Sequence, residues 1–302
     1  MKPTSMIFLV LSLILAFGGF MTCSFAKTMA ASDGIAIYDQ TFDDNGDAVY
    51  RYEIDDNVIN KLSLTFSDVD VTVVGNASSS YVELKNFDVT GYAVSLTGGN
   101  VSVDGTVGLL SSLIDMSNGG LRFRGLRYFL LDKPDPSRER SVTVYISNAC
   151  EMRALSVSLK NGTVSFQNMD RPLDYSVTLS EANAVFDHVT STSVAQISAA
   201  NGDVTVNESK FATVSASMEK GNFIVNGSQS MSYQFTGYDL KINETGSILF
   251  NGADAGQQYK VTAPIQEMLY IVTVSGGNIQ ITDGGSPAES IDPVDPATES
   301  IQ

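Results

Sequence analysis

The chain has 302 residues, with 34 Asp or Glu against 18 Lys or Arg and a net charge of −16. Lys2 and Lys27 both precede the first acidic residue, Asp33, so the body beyond that point is still more acidic than the whole. Such a body repels phosphate backbones and cannot dock on anionic lipid by charge alone, which excludes nucleic-acid binding as its main role. Charged residues make up only 17%, while Val, Ser, Thr, Asn and Gly abound. This mixture of strand and turn formers points to an all-β protein and away from disorder.

In chain order, the first feature is an uncharged run from Met6 to Ala26, flanked by Lys2 and Lys27. It exceeds the core of a signal peptide, roughly 7–15 residues, and matches the ~20 that span a bilayer. Small residues at Ser24 and Ala26, and at Thr28 and Ala30, also leave signal-peptidase cleavage open. Residues 1–31 are therefore read as a signal peptide or signal-anchor transmembrane segment, and either way the body is exported. Cys23 falls inside this run without the small-residue pattern of an acylation site. The other cysteine, Cys150, reads as a small buried hydrophobe, and the body has no disulfide framework.

Residues 32–284 are organised by a repeat in which a turn pair precedes an apolar-x-apolar alternation. The first apolar positions are Val71, Val101, Val164, Ala184, Val204, Phe223, Leu240, Val261 and Ile279, and from Val164 they step by 20, 20, 19, 17, 21 and 18 residues. A near-constant step with one recurring corner predicts a single-stranded right-handed β-solenoid with coils of about 19 residues. Alternation puts Val204 and Val206 inside with Thr205 outside, and likewise buries Phe223, Val225, Leu240, Ile242, Ile279 and Ile281. Seven such coils from Val164 to Ile279 would span roughly 34 Å.

Before each alternation stands Asp70, Asn100, Thr163, Asn183, Asp203, Asn222, Asp239, Lys260 or Asn278. As chemistry this would be a column of Ca²⁺ ligands, but the Gly-Gly-x-Gly-x-Asp nonapeptide is missing. As structure, Asn and Asp bond the backbone at a corner and stack into ladders, and that reading is preferred. The phase is lost across an insertion, 107–140, that gathers Arg122, Arg124, Arg127, Arg138 and Arg140. These arginines could form an anion site, but an amphipathic strand pair or cap whose arginines neutralise acidic neighbours is the preferred reading. Residues 285–302, with Pro287, Pro293 and Pro296, read as a disordered acidic tail.

Catalytic chemistry has few candidates. The single histidine, His188, falls where an outward or corner residue is expected, and no nucleophile motif accompanies it. One His and one body Cys cannot build the usual zinc sites. Clustered carboxylates of the kind used by polysaccharide lyases and hydrolases would have to come from Asp170-Arg171, Glu181 and Asp187. Trp is absent, although 12 Tyr remain as possible sugar platforms. Five Asn-x-Ser/Thr sequons, starting at Asn76, Asn161, Asn207, Asn226 and Asn243, follow from a composition rich in Asn, Ser and Thr.

The segments KLSLTFSDVDVTVVGNASSSYVELKN and RSVTVYISNACEMRALSVSLKNGTVSF resemble the putative-adhesin family of bacterial domains of unknown function. The family's strand repeat, a Leu-x-Ser-Leu segment followed by Gly-Asp-Val-x-Val, is matched here by Leu155, Val157, Leu159, Gly162 and Val164. The resemblance runs from Lys61 to Asp283 around the insertion and implies an envelope location with an adhesion-like role. It brings no catalytic residues, metal or cofactor. The expected protein is thus a non-catalytic, membrane-targeted extracytoplasmic module that binds a protein or glycan of the cell envelope. The competing reading is a polysaccharide-active lyase or hydrolase on a similar scaffold.

Overall fold

The computed structural model describes residues 41–88, 92–106, 114–115, 122–123, 134–227, 236–263 and 267–282. Among them every regular element is a strand, so the body is all-β. The Met6–Ala26 run, the side chains of Arg122, Arg124 and Arg127, and the 285–302 tail lie outside the described residues. Within them no helix is long and apolar enough to cross a membrane.

The first strands are β1 Thr41–Phe42, β2 Ala48–Glu53, β3 Lys61–Ser67, β4 Asp70–Ala77, β5 Tyr81–Lys85, β6 Ala93–Thr97 and β7 Asn100–Asp104. Next come β8 Ile114–Asp115, β9 Arg122–Phe123, β10 Ser141–Ser147, β11 Ala154–Lys160, β12 Gly162–Asp170 and β13 Asp174–Asn201. The remainder are β14 Val204–Asn207, β15 Lys210–Lys220, β16 Phe223–Asn226, β17 Thr236–Thr245, β18 Ile248–Phe250, β19 Ala253–Asp254, β20 Gln258–Val261, β21 Met268–Gly276 and β22 Ile279–Thr282. Within the former insertion, β8 and β9 form a small antiparallel pair of their own.

All the other strands belong to one mixed sheet that does not close on itself. Two parallel ladders share its core. In the first, β10, β4, β12, the middle of β13, β14, β16, β22 and β18 lie side by side. Their register puts Val142, Val71, Val164, Ala184, Val204, Phe223, Ile279 and Ile248 in one buried column. In the second, β7, β3, β11 and the start of β13 align Val101, Leu62, Leu155 and Tyr175. The end of β13, β15, β21 and β17 continue with Ala195, Val214, Tyr270 and Tyr238.

The inward alternation is as expected: Val204, Val206, Phe223, Val225, Leu240, Ile242, Ile279 and Ile281 are all buried, as is Cys150. Rings interlock between the ladders. Phe166 stacks on Phe186 at 4.6 Å, and Tyr175 meets both edge-on. Such pairs add about 0.5–1.5 kcal/mol each beyond burial.

Stack order departs from chain order at both ends. Strands β21 and β22 return to pair with β15 and β16, while β17 and β18 lie beyond them. Phe223 therefore meets Ile279, and the corner residues Asn222 and Asn278 are 56 positions apart. Leu240 and Val261 do not belong to this column. Leu240 lies between Val272 and Tyr259, and Val261 faces Tyr238 in an antiparallel pair. From Val164 to Ile279 the column crosses four strand spacings, about 19 Å, rather than the 34 Å expected of seven coils. At the other end Val101 sits opposite Leu62, and it is Val142 that sits opposite Val71. The physical reason is that alternation specifies which side chains face inward but not which strand lies next door.

The stack is also not purely parallel. Strands β5, β2 and β1 add antiparallel to β10, and β6 adds to β7. At the far end β19 adds to β18 and β20 to β17. These short hairpin strands cover the edges that a parallel ladder would leave open.

One corner holds the first ladder in register. Thr163 N donates to Asp70 Oδ1 (2.8 Å), Asp203 N to Asn183 Oδ1 (2.9 Å) and Asn222 N to Asp203 Oδ1 (2.8 Å). Asn278 N then donates to Asn222 Oδ1 (3.2 Å) and Ser247 N to Asn278 Oδ1 (3.1 Å). Three of the expected members stand elsewhere: Asn100 faces Lys61, and Lys260 pairs with Asp239 at 3.0 Å. Beside the ladder Gly202, Gly221, Gly277 and Gly246 stack with positive φ. A Cβ on Gly221 would overlap the Gly202 carbonyl, so only glycine lets successive turns approach this closely.

Two outcomes test this register. Val204→Lys places an unpaired ammonium in the core and should cost about 4 kcal/mol or more, whereas Thr205→Lys, which points outward, should change the thermal midpoint little. Equal losses would refute the assignment of faces. Gly221→Ala should cost about 3 kcal/mol in chemical denaturation, since it combines backbone overlap with a left-handed φ.

Candidate functional site

Small residues on the outer face of the second ladder leave a groove of about 590 Å³. Thr65, Ser158 and Thr178 lie opposite one another on adjacent strands, and Ser198, Ser217 and Thr273 form a second such run. The strands present these hydroxyls because every second residue is Ser or Thr while the intervening ones, such as Leu159 and Leu179, are buried. Lys160 and Glu219 are the charged residues on the rim. The groove offers many donors and acceptors at strand spacing, and among the described residues its lining includes one carboxylate, Glu219, and no histidine.

Of the acid–base candidates, Asp170 lies opposite Thr190 and Asp187 opposite Gln167 on the paired strands. Arg171 donates to the carbonyl oxygens of Ser147 (2.6 Å) and Cys150 (3.0 Å), a structural tie across the turn. Glu181 and Asp187 stand at opposite ends of one extended run, about 20 Å apart. His188 occupies an exposed corner with φ 54°, as its place in the repeat predicts. Its Nδ1 lies 3.0 Å from Asp187 and its Nε2 3.0 Å from Glu208. With both nitrogens facing carboxylates, the ring is not positioned to activate a hydroxyl. Glu208 was not singled out by sequence reasoning, although it follows His188 by one repeat step. Among the described residues, no group of three or more His, Cys, Asp or Glu could hold a metal ion.

Three sequon amides have neighbours in adjacent turns. Asn76 donates to the Asn168 carbonyl, Asn161 to Asp68 and Asn226 to Asn207. The last pair forms a second amide step at the opposite end of the short strands.

Of the insertion's arginines, Arg138 neutralises an acidic neighbour. Its guanidinium lies 2.6 Å from Asp47 and also donates to the Asn45 carbonyl. Lys85 bridges Asp43 (2.9 Å) and Asp47 (2.8 Å), and buried Asn86 joins Asp47 to the Glu139 carbonyl. Bonds from Lys85, then Arg138 and Asn86, hold the Asp47 carboxyl well below the usual carboxylate range. Lys85 likewise lowers Asp43, and the two carboxylates raise Lys85. This clasp fastens the β1–β2 hairpin onto the stack.

The geometry defines an all-β protein whose outer faces are ordered fields of hydroxyl, amide and carboxylate groups. No protein-family model matches the chain, and no curated protein does. Similar solved structures include a "putative cell adhesion protein" of Clostridium sporogenes, 12% identical, with a TM-score of 0.41 over 77% of this chain and 97% of that one. They also include a "putative adhesin" of Parabacteroides distasonis, 9% identical, with a TM-score of 0.37 over 81% and 98%. A "putative adhesin" of Parabacteroides merdae, 9% identical, aligns over 78% and 96% with a TM-score of 0.30.

The clasp has a signed pH dependence. Carboxyls lowered by folding contribute stability above their unfolded pKa, about 4, and lose it as pH falls through the folded values. The raised Lys85 contributes until pH climbs through its own folded value, above about 10. Lys85→Met should therefore lower the thermal midpoint at pH 7, and the gap from wild type should narrow progressively as pH falls below about 4, because protonation of Asp43 and Asp47 removes the partners of Lys85. A gap unchanged by acid would show that these pairs do not hold the hairpin.

Proposed function

We propose that the chain is a membrane-targeted, extracytoplasmic β-solenoid that acts as a non-catalytic, adhesin-like binding module of a bacterial cell envelope. The stack's parallel turns, joined by short corners, wind as a right-handed coil, the hand that parallel crossovers take. The observation that carries the reading is the groove across successive turns, lined by repeated hydroxyls. Its breadth suits an extended partner, a protein segment or glycan strand of the envelope, and the acidic body disfavours nucleic acid. No cofactor is required for such contact. The uncharged Met6–Ala26 run would hold the module at the membrane, or release it if cleaved.

External protease on intact cells should remove the body while a short N-terminal fragment stays in the membrane. If the segment is cleaved, the mature chain should instead begin near Lys27 or Ala31 in the soluble extracytoplasmic fraction. Protection that ends only on lysis would refute the location. Thr178→Arg, which fills the groove, should reduce retention of the purified body on isolated envelopes by about tenfold, the effect of losing one well-placed contact. Depolymerisation of an envelope polysaccharide by the body, abolished in a folded His188→Ala/Glu181→Ala/Asp187→Ala variant, would replace this reading with the enzymatic one.

A further inference from the structure

The first ladder's outer face carries an aromatic stack, apart from the groove. Arg51 on β2 lies over the Tyr81 ring, 3.6 Å from its centroid, and Tyr81 on β5 stacks on Tyr145 of β10 at 4.4 Å and 23°. Arg51 is held by Glu53 at 2.6 Å. One face of Tyr81 is thus covered by the guanidinium and the other by Tyr145. Burial raises the Tyr81 phenol above its usual range, as expected for a packed ring.

The stack stops at Tyr145. The next residue in the row is Val74 on β4, and the one after it is Gln167 on β12. Val74 is far shorter than a tyrosine, so the row drops for one strand between an aromatic ring and an amide. Tyr145 and Gln167 are two strand spacings apart, about 9.6 Å, which leaves room for one flat ring between them. Gln167 donates from Nε2 to Ser165 Oγ (3.0 Å), and its Oε1 remains an acceptor. Thr72, two residues before Val74 on the same face, adds a half-buried hydroxyl beside the slot.

We infer that the slot over Val74 is a subsite for a pyranose ring, which packs its C–H face on Tyr145 and hydrogen-bonds Gln167 and Thr72. A β-linked, gluco-configured sugar suits it, since its equatorial substituents leave flat C–H faces to meet an aromatic ring. Charge selects a neutral glycan. Glu53 faces Tyr81, Glu83 faces Arg51 and Asp187 faces Gln167, so carboxylates lie at both ends of the row, and Arg51 is paired with Glu53. The subsite goes beyond the groove and stands even if the groove binds nothing.

The test is calorimetric titration of the full chain, in a zwitterionic detergent without sugar groups, with chitohexaose and with cellohexaose. At least one should bind. Tyr145→Ala should weaken binding about tenfold or more, and Tyr145→Phe, which keeps the ring, should stay within about twofold. Val74→Arg fills the slot from an outward position and should also abolish binding, so it decides the matter if Tyr145→Ala fails to fold. Binding of neither oligosaccharide, or full binding by Val74→Arg, overturns the inference. Loss in Thr178→Arg with retention in Val74→Arg also overturns it, and would assign the sugar to the groove.

Discussion

Close approach of successive turns at one glycine corner is the constraint on which the rest of the molecule depends. Gly202, Gly221, Gly277 and Gly246 let each main chain lie against the carbonyl of its neighbour. Beside them, the side chains of Asn183, Asp203, Asn222 and Asn278 accept from the main chain of the adjacent turn. Together these set both spacing and register, and register in turn decides which side chains enter the core. A one-residue slip would turn Val204 and Phe223 outward and break every step of the ladder.

With register fixed by the corner, the interior can be filled by interlocking rings and branched aliphatics. Phe166, Tyr175, Phe186 and Phe211 form one cluster, and Tyr238, Tyr270, Phe223 and Phe250 another nearer the far end. Not every polar atom inside is satisfied: among the described residues, the buried Tyr175 and Tyr270 hydroxyls have no hydrogen-bond partner. Desolvation raises both phenols, so they remain neutral at any physiological pH. The ladders end in antiparallel strands, and the clasp of Asp43, Asp47, Lys85 and Arg138 secures the outermost of them.

Because core and corner carry the stability, the outward positions are free to serve recognition. The hydroxyl groove and the slot beyond Tyr145 lie on different ladders and are both products of stacking. Neither is a local motif. Each assembles single residues from strands far apart in the chain, such as Thr65 with Ser158 and Tyr81 with Tyr145.

The sequence by itself determined the all-β class, the inward and outward faces of the repeat strands and the Asn and Asp members of the corner from Asp70 through Asn183, Asp203 and Asn222 to Asn278. Those properties are set by period-two alternation and by local backbone preferences, which any ten residues display. The sequence likewise assigned Asn100, Asp239 and Lys260 to that corner, where they do not stand. It also placed Cys150 in the core and His188 at an exposed turn. Which strand lies beside which was decided only by the tertiary structure. Val101, Val142, Leu240 and Ile279 all satisfy the same alternation, and only packing separates the column that holds Val142 and Ile279 from the ladder that holds Val101 and Leu240. The Tyr81–Tyr145 stack and the His188–Glu208 pair were hidden for the same reason: lateral hydrogen bonding between strands is indifferent to sequence separation, so only the folded register brings such residues within reach.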